Sequence, residues 1–173
     1  MRSGATRAPR AASRLDVFIA RMSAQRALLG DVAARLDVLG PVLELGLGNG
    51  RTFDHLRLIL PDREIFVFDR AVTAHPASIP DAHHMIVGEI RETLAFCDDR
   101  VMEPAALIHC DLGSGDPSAD RAKAHWLAPL IAERTAPGGY VASGLALDLA
   151  GFAVLPRTPD AELGNYHLYR SPR

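Results

Sequence analysis

Two periods of apolar residues run through this chain. From Leu15 to Leu39 the apolar positions Leu15, Phe18, Met22, Leu29, Val32, Leu36 and Leu39 return at helical spacing, which predicts an amphipathic helix with one covered face. Gln25 is the one polar residue that interrupts this stripe. Ser13 and Asp16 have the spacing of a capping box at its start. Gly30-Asp31 predicts a break, with Asp31 capping a second half. Beyond Pro41 the pattern changes to short apolar runs, Val42–Leu45, Ile65–Phe68, Met85–Val87, Ala105–Cys110 and Tyr140–Gly144. Each has the length and composition of a strand buried on both faces. Helical patterns separate them. One carries Phe53, Leu56, Ile59 and Leu60 inward, one spans Arg91–Phe96, and one runs from about Asp120 to Arg134 with Trp126, Leu127, Leu130 and Ile131 inward. Pro129 predicts a kink or split in the last of these, and Pro76 with Pro80 predicts an irregular crossover over 71–83. Ala136–Gly139 reads as a turn, and Phe152–Leu155 with Tyr166–Tyr169 as a final strand pair around a turn at 156–165. Strands alternating with helices predict an α/β domain on a largely parallel sheet.

The chemistry concentrates where the first strand ends. Gly46, Gly48 and Gly50 alternate through a turn that opens the next helix. Such a turn lets backbone approach a ligand, and the helix start offers free N–H groups to an anionic group. A turn built only for tight packing is the plain alternative. The spacing is G-x-G-x-G, Arg51 stands where a dinucleotide fingerprint would have its third glycine, and Glu44 lies just upstream. A carboxylate there would repel a pyrophosphate and suit a ligand carrying an ammonium group. Asp69 ends the second strand 19 residues after Gly50, about the interval at which an acid reaches a ribose in βαβ nucleotide sites. Asp111 ends the fourth strand and opens a glycine-rich loop, Leu112-Gly113-Ser114-Gly115.

At these residues the chain resembles the class I S-adenosylmethionine-dependent methyltransferases, whose first motif reads [D/E]-x-G-x-G-x-G. It is also similar to a small bacterial group of such enzymes of unassigned substrate. The resemblance covers roughly residues 40 to 145. It implies a Rossmann-like, doubly wound, seven-stranded mixed sheet with one antiparallel strand, here with an N-terminal helical extension. It implies S-adenosyl-L-methionine as cofactor, with Glu44, Gly46, Gly48, Asn49 and Gly50 around the methionyl end. Asp69 and Arg70 would then lie at the ribose, Glu89 and Ile90 at the adenine, and Asp111 and Leu112 beneath the transferring methyl. Glu89 could instead serve the dipole of the following helix. Asp111 is the one candidate for a catalytic base or substrate contact. The [D/N]-P-P-[Y/F] motif of amide- and base-methylating members is missing, which argues against those acceptors. The expected activity is methyl transfer to a small molecule. A non-catalytic S-adenosylmethionine-binding module and a nicotinamide-dependent oxidoreductase are the rival readings.

Composition narrows the partners. The chain has 173 residues, 48% hydrophobic and 23% charged, with net charge −2, as for one ordinary globular domain. That charge balance disfavours a nucleic-acid partner, and no apolar run reaches membrane-spanning length. Residues 1–13 form a basic tail before a single domain over 14–173, in which 14–39 is helical cover; a transit peptide is the alternative for the tail. Cys97 and Cys110 read as buried free thiols, and the cytoplasm is the expected compartment. His83-His84 and His109-Cys110-Asp111 are the histidine clusters. Neighbours on a strand face opposite ways, so no metal is expected from either. A sheet with so few insertions leaves apolar surface that predicts a homo-oligomer.

Overall fold

The computed structural model describes residues 12–156 and 165–173. Its elements in chain order are α1 (Arg14–Arg35), β1 (Val42–Leu45), α2 (Arg51–Ile59), β2 (Ile65–Asp69), β3 (Met85–Val87), α3 (Ile90–Ala95), β4 (Ala105–Cys110), α4 (Pro117–Arg134), β5 (Thr135–Ser143), β6 (Ala153–Val154) and β7 (His167–Arg170). The strands form one seven-stranded sheet in the order β3-β2-β1-β4-β5-β7-β6. β1 to β5 pair in parallel, and β7 runs antiparallel to both its neighbours. The expected architecture is therefore present, with β7 as its reversed strand.

Alternation along the strands sorts the core into two halves. Leu43, Leu45, Phe66, Phe68, Ile108 and Cys110 face α3 and α4, whose Leu94, Leu127 and Ile131 pack on them. Val42, Val67, Leu107, Tyr140 and Ala142 face the other way, against Leu28, Leu29 and Val32 of α1 and Phe53 and Leu56 of α2. β1 and β4 are buried along their whole length, which is why they read as apolar runs interrupted only by Glu44 and His109.

α1 begins with the capping box: Ser13 Oγ accepts from the Asp16 amide, and Asp16 accepts from the Ser13 amide at 2.8 Å. It does not break at Gly30. A mid-helix glycine costs only about 1 kcal/mol relative to alanine, and Leu28, Leu29 and Val32 around it are all buried. The helix does stop at Arg35, short of Leu39, which is 85% exposed. The connection is fastened instead by Asp37, which pairs with Arg170 at 2.9 Å and Arg173 at 2.7 Å.

α4 also runs unbroken, through Pro129. The proline sits on the exposed side while Leu127, Ala128 and Ile131 are buried, so packing holds the helix past the missing hydrogen bond. It starts earlier than its apolar pattern suggests, because Asp116 caps the amides of Ser118 and Ala119 and Pro117 takes the first helical position, a favoured place for proline. The crossover from β2 to β3 holds only a single 3-10 turn, Pro76–Ser78. The Ala136–Gly139 segment is an excursion inside β5, between the pairs Ala105↔Thr135 and Leu107↔Tyr140. Residues 1–11 of the expected tail and most of the turn expected over 156–165 lie outside the described residues.

Candidate active site

A cavity of about 580 Å³ opens at the carboxyl ends of β1, β2 and β4. This is where the strand order reverses direction from β1, the position at which open α/β sheets bind ligands. Its wall carries Gly46, Gly48, Asn49, Asp69, Arg70, Glu89, Ile90, Asp111 and Leu112. Of the residues expected at the cofactor, only Glu44 and Gly50 are not on it.

The turn after β1 is shaped by close approaches. Gly46 has φ +96°, and a Cβ there would stand 3.0 Å from Leu112 and 3.2 Å from the Asp111 carbonyl. Gly50 has φ +80°, and a Cβ would come within 2.6 Å of Ser78 Cβ. The two glycines thus let the β4 loop and the 71–80 crossover press on the turn from either side. A Cβ on Gly48 would meet nothing within 4 Å, so that residue lies against open space. Asp69 braces the turn: its Oδ2 accepts from the amides of Leu47 at 2.8 Å and Gly48 at 3.1 Å. Its Oδ1 takes only a 3.3 Å contact from the Ala71 amide, leaving acceptor capacity toward the cavity. α2 starts at Gly50 with no side-chain cap, so its first N–H groups remain available. Glu89 occupies the cap position of α3 without making a side-chain capping bond.

Glu44 does something other than face a ligand. It is fully buried on the α1/α2 side of β1, in register with His109 on β4. Glu44 Oε2 lies 2.6 Å from His109 Nδ1. Burial is the strongest influence on this imidazole and works to lower its pKa. The charge and hydrogen bond of Glu44, aided by Asp111, outweigh it and leave the group raised. Glu44 Oε1 and His109 Nε2 have no partner. The ring of Tyr166 stacks on His109 at 6.0 Å and 11°.

Tyr166 links this buried pair to the cavity. Gln25 Nε2 donates to the Tyr166 hydroxyl and, at 2.8 Å, to Asp111 Oδ2. Burial, reinforced by the negative charge of Asp111, pushes the Tyr166 phenol well above its usual range. Arg21 NH1 stands 3.9 Å from Asp111 Oδ1. α1 therefore reaches the site through Arg21, Met22 and Gln25, all on the cavity wall. Phe18 of α1 packs against Arg51 of the wall, whose guanidinium lies 5.7 Å from its ring centroid. The glycine-rich loop after Asp111 is held from α4. Asp120 Oδ1 accepts from the Ser114 amide at 2.8 Å and hydroxyl at 2.7 Å, Asp120 Oδ2 accepts from the Gly115 amide, and Lys123 donates to the Leu112 carbonyl. These Ser114 bonds hold the Asp120 carboxyl below its ordinary range.

The profile of the S-adenosyl-L-methionine methyltransferase family matches residues 12–171. The chain belongs to that family. It is similar to the crystal structure of an S-adenosyl-L-methionine methyl transferase from Silicibacter pomeroyi DSS-3, with 43% identity and TM-score 0.84, covering 92% of this chain and 98% of that one. It shares the fold of the N-methyltransferase NodS from Bradyrhizobium japonicum WM9, at 15% identity and TM-score 0.53, over 86% of this chain and 95% of that one. It also shares the fold of the MycE methyltransferase of the mycinamycin pathway, a complex with Mg and SAH, at 14% identity and TM-score 0.56, over 91% of this chain and 49% of that one. No curated protein matches the chain. This methyltransferase is an S-adenosylmethionine-dependent enzyme. Among the described residues no helix is long and apolar enough to cross a membrane.

Arg21 and Met22 also line the cavity, on the helix expected as cover, and so do Thr52 and Lys123, to which no sequence motif pointed. Gln25 did leave a trace, as the polar gap in an otherwise apolar stripe. Cys97 and Cys110 are free and buried, as expected. Burial pushes the Cys110 thiol up to about 12, so it takes no part as a nucleophile at neutral pH.

Proposed function

We propose that this cavity holds S-adenosylmethionine along the sheet edge and a small acceptor beneath α1. The observation that carries the reading is the gathering of the Gly46–Asn49 turn, Asp69, Glu89, Ile90 and Asp111 on one wall. Asp69 Oδ1 and its neighbour Arg70 serve the ribose. Glu89, uncommitted as a cap, accepts from the adenine amino group while the buried Ile90 packs on the ring. With Glu44 committed to His109, Asp111 is the acid left for the methionyl ammonium. Gln25 and Arg21 hold that carboxylate in place.

The bound cofactor supplies a methyl group on a sulfonium, already a good leaving group. The protein's work is to bring an acceptor in line behind it and exclude water. Alignment of this kind is worth about 7–11 kcal/mol in favourable cases. α1 provides the cover: Met22 is its apolar contact, Arg21 and Gln25 its polar ones. Asp111 positions; no second acid lies beside it on the wall to act as a dedicated base among the described residues. The cavity volume falls in the ~300–1,000 Å³ range of small-molecule sites, which supports a small acceptor rather than a nucleic acid. The first turns of α1 expose Leu15 (65%), Val17 (59%), Phe18 (42%) and Ile19 (53%), and this apolar face supports self-association.

Titration calorimetry with S-adenosylhomocysteine tests the site. Asp69→Ala should weaken binding by about 1.5–3 kcal/mol, the range for hydrogen bonds to a charged group, with the circular dichroism of the wild type retained. Equal affinity would remove Asp69 from the site. Light scattering should show a mass above that of one chain; a monomer at all concentrations would refute the association.

A further inference from the structure

At the opposite end of the strands, Glu64 precedes β2 and His83 and His84 precede β3. The alternation argument against His83-His84 does not apply here, because both histidines lie in the turn before the strand begins. Their rings approach to 5.0 Å between centroids, and both pack on Phe66, at 5.9 Å and 5.1 Å. One ligand atom from each of Glu64, His83 and His84 falls within 4.8 Å of the others.

We propose that Glu64, His83 and His84 bind a zinc-class divalent cation that staples the base of β2 to the edge strand β3. Neighbouring ligand atoms around tetrahedral zinc are roughly 3.3 Å apart, from bond lengths of about 2.0–2.1 Å. His84 Nε2 and Glu64 Oε1 already stand at 3.7 Å. Glu64 is two-thirds exposed and free to close the rest. The second observation is the orientation of His84. Its Nδ1 lies 2.7 Å from Asp81 Oδ2. An N–H donated there leaves the Nε2 lone pair pointing toward Glu64, the carboxylate–histidine arrangement that fixes metal-binding imidazoles. Asp81 is itself fixed, since its Oδ1 accepts from the amides of His83 at 2.8 Å and His84 at 3.2 Å. Arg100 donates to the carbonyls of Ala82, His83 and Met85, holding the backbone that carries both rings.

Two imidazoles and one carboxylate suit zinc and its late first-row neighbours, not magnesium or calcium. A water would complete the four ligands. The site lies at the far end of the sheet from the cavity, so the ion would brace β3, a three-residue edge strand, and take no part in transfer.

The experiment is cobalt(II) and zinc(II) titration of the full chain after removal of any purification tag, followed by visible absorption, calorimetry and thermal unfolding. One equivalent per chain should bind, cobalt should show tetrahedral absorption bands, and zinc should raise the melting temperature. His84→Ala and His83→Ala should each lose at least 100-fold in affinity. Asp81→Asn should lose about 10–100-fold, the usual effect of removing a ligand's supporting carboxylate. His125→Ala, an exposed histidine elsewhere, should change nothing. If His84→Ala does not fold, the exposed His83 carries the test. No binding, equal binding by wild type and His83→Ala, or magnesium binding as tightly as zinc would each overturn the proposal, leaving an adventitious ion only.

Discussion

Splitting the Glu44–His109 pair should cost more than replacing it. Both side chains are fully buried, 2.6 Å apart, and each keeps one polar atom without a partner. Removing one partner from such a pair leaves an uncompensated buried group and costs about 3–5 kcal/mol. Glu44→Leu and His109→Leu should each show that loss. In a chain of this length it corresponds to roughly 6–20 °C in melting temperature, at 2–4 °C per kcal/mol. The double variant should recover most of it, because a matched apolar pair removes both desolvation costs together. The pH dependence supplies a second reading. The folded pKa of His109 is raised, so the folded state binds the proton more tightly than the unfolded one. The pair's contribution is full below about pH 6.5, the unfolded value, and is lost as pH rises through the folded pKa. The slope can reach about −1.4 kcal/mol per pH unit. In Glu44→Leu the histidine is buried without its acid, its pKa falls below the unfolded value, and stability is lost as pH falls instead. Urea unfolding of the four proteins between pH 5.5 and 9 measures both effects. Additive single losses, or an unchanged slope in Glu44→Leu, would refute the reasoning.

Further substitutions probe the glycine turn and the cavity wall. Gly50→Ala places a Cβ 2.6 Å from Ser78 Cβ and 2.8 Å from its carbonyl oxygen, and should destabilise clearly more than Gly48→Ala. At Gly48 the space is open and only the left-handed backbone is penalised, by about 1–2 kcal/mol; equal losses in thermal unfolding would contradict the packing. Gln25→Leu strips the donor from Asp111 and Tyr166 and, because Asp111 is the acid left for the methionyl ammonium, should lower both S-adenosylhomocysteine affinity and turnover, measured by calorimetry beside a transfer assay. Unchanged affinity would remove Gln25 from the positioning of Asp111.

The sheet was legible because buried parallel strands leave short, mainly apolar runs, and all five appeared within a residue or two of their places except the start of β5. The breaks inferred from Gly30 and Pro129 failed for one reason: buried neighbours outweigh a local propensity of a few kcal/mol. Spacing located the glycine turn and Asp69, since both are fixed by the length of one βαβ unit. It misdirected Glu44, because a motif cannot say which face of β1 its acid occupies or that His109 stands opposite on β4. Gln25 and Lys123 come from helices that arrive from distant parts of the chain. Nothing local marks them except the polar gap in the α1 stripe.

The most direct test is a crystal structure with S-adenosylhomocysteine. The account predicts ribose hydroxyls on Asp69, adenine between Glu89 and Ile90, and the sulfur facing the Asp111–Ser114 loop beneath Gln25 and Met22. A cofactor bound elsewhere, or with its adenine at Asp111 and its methionyl end at Ile90, would contradict it.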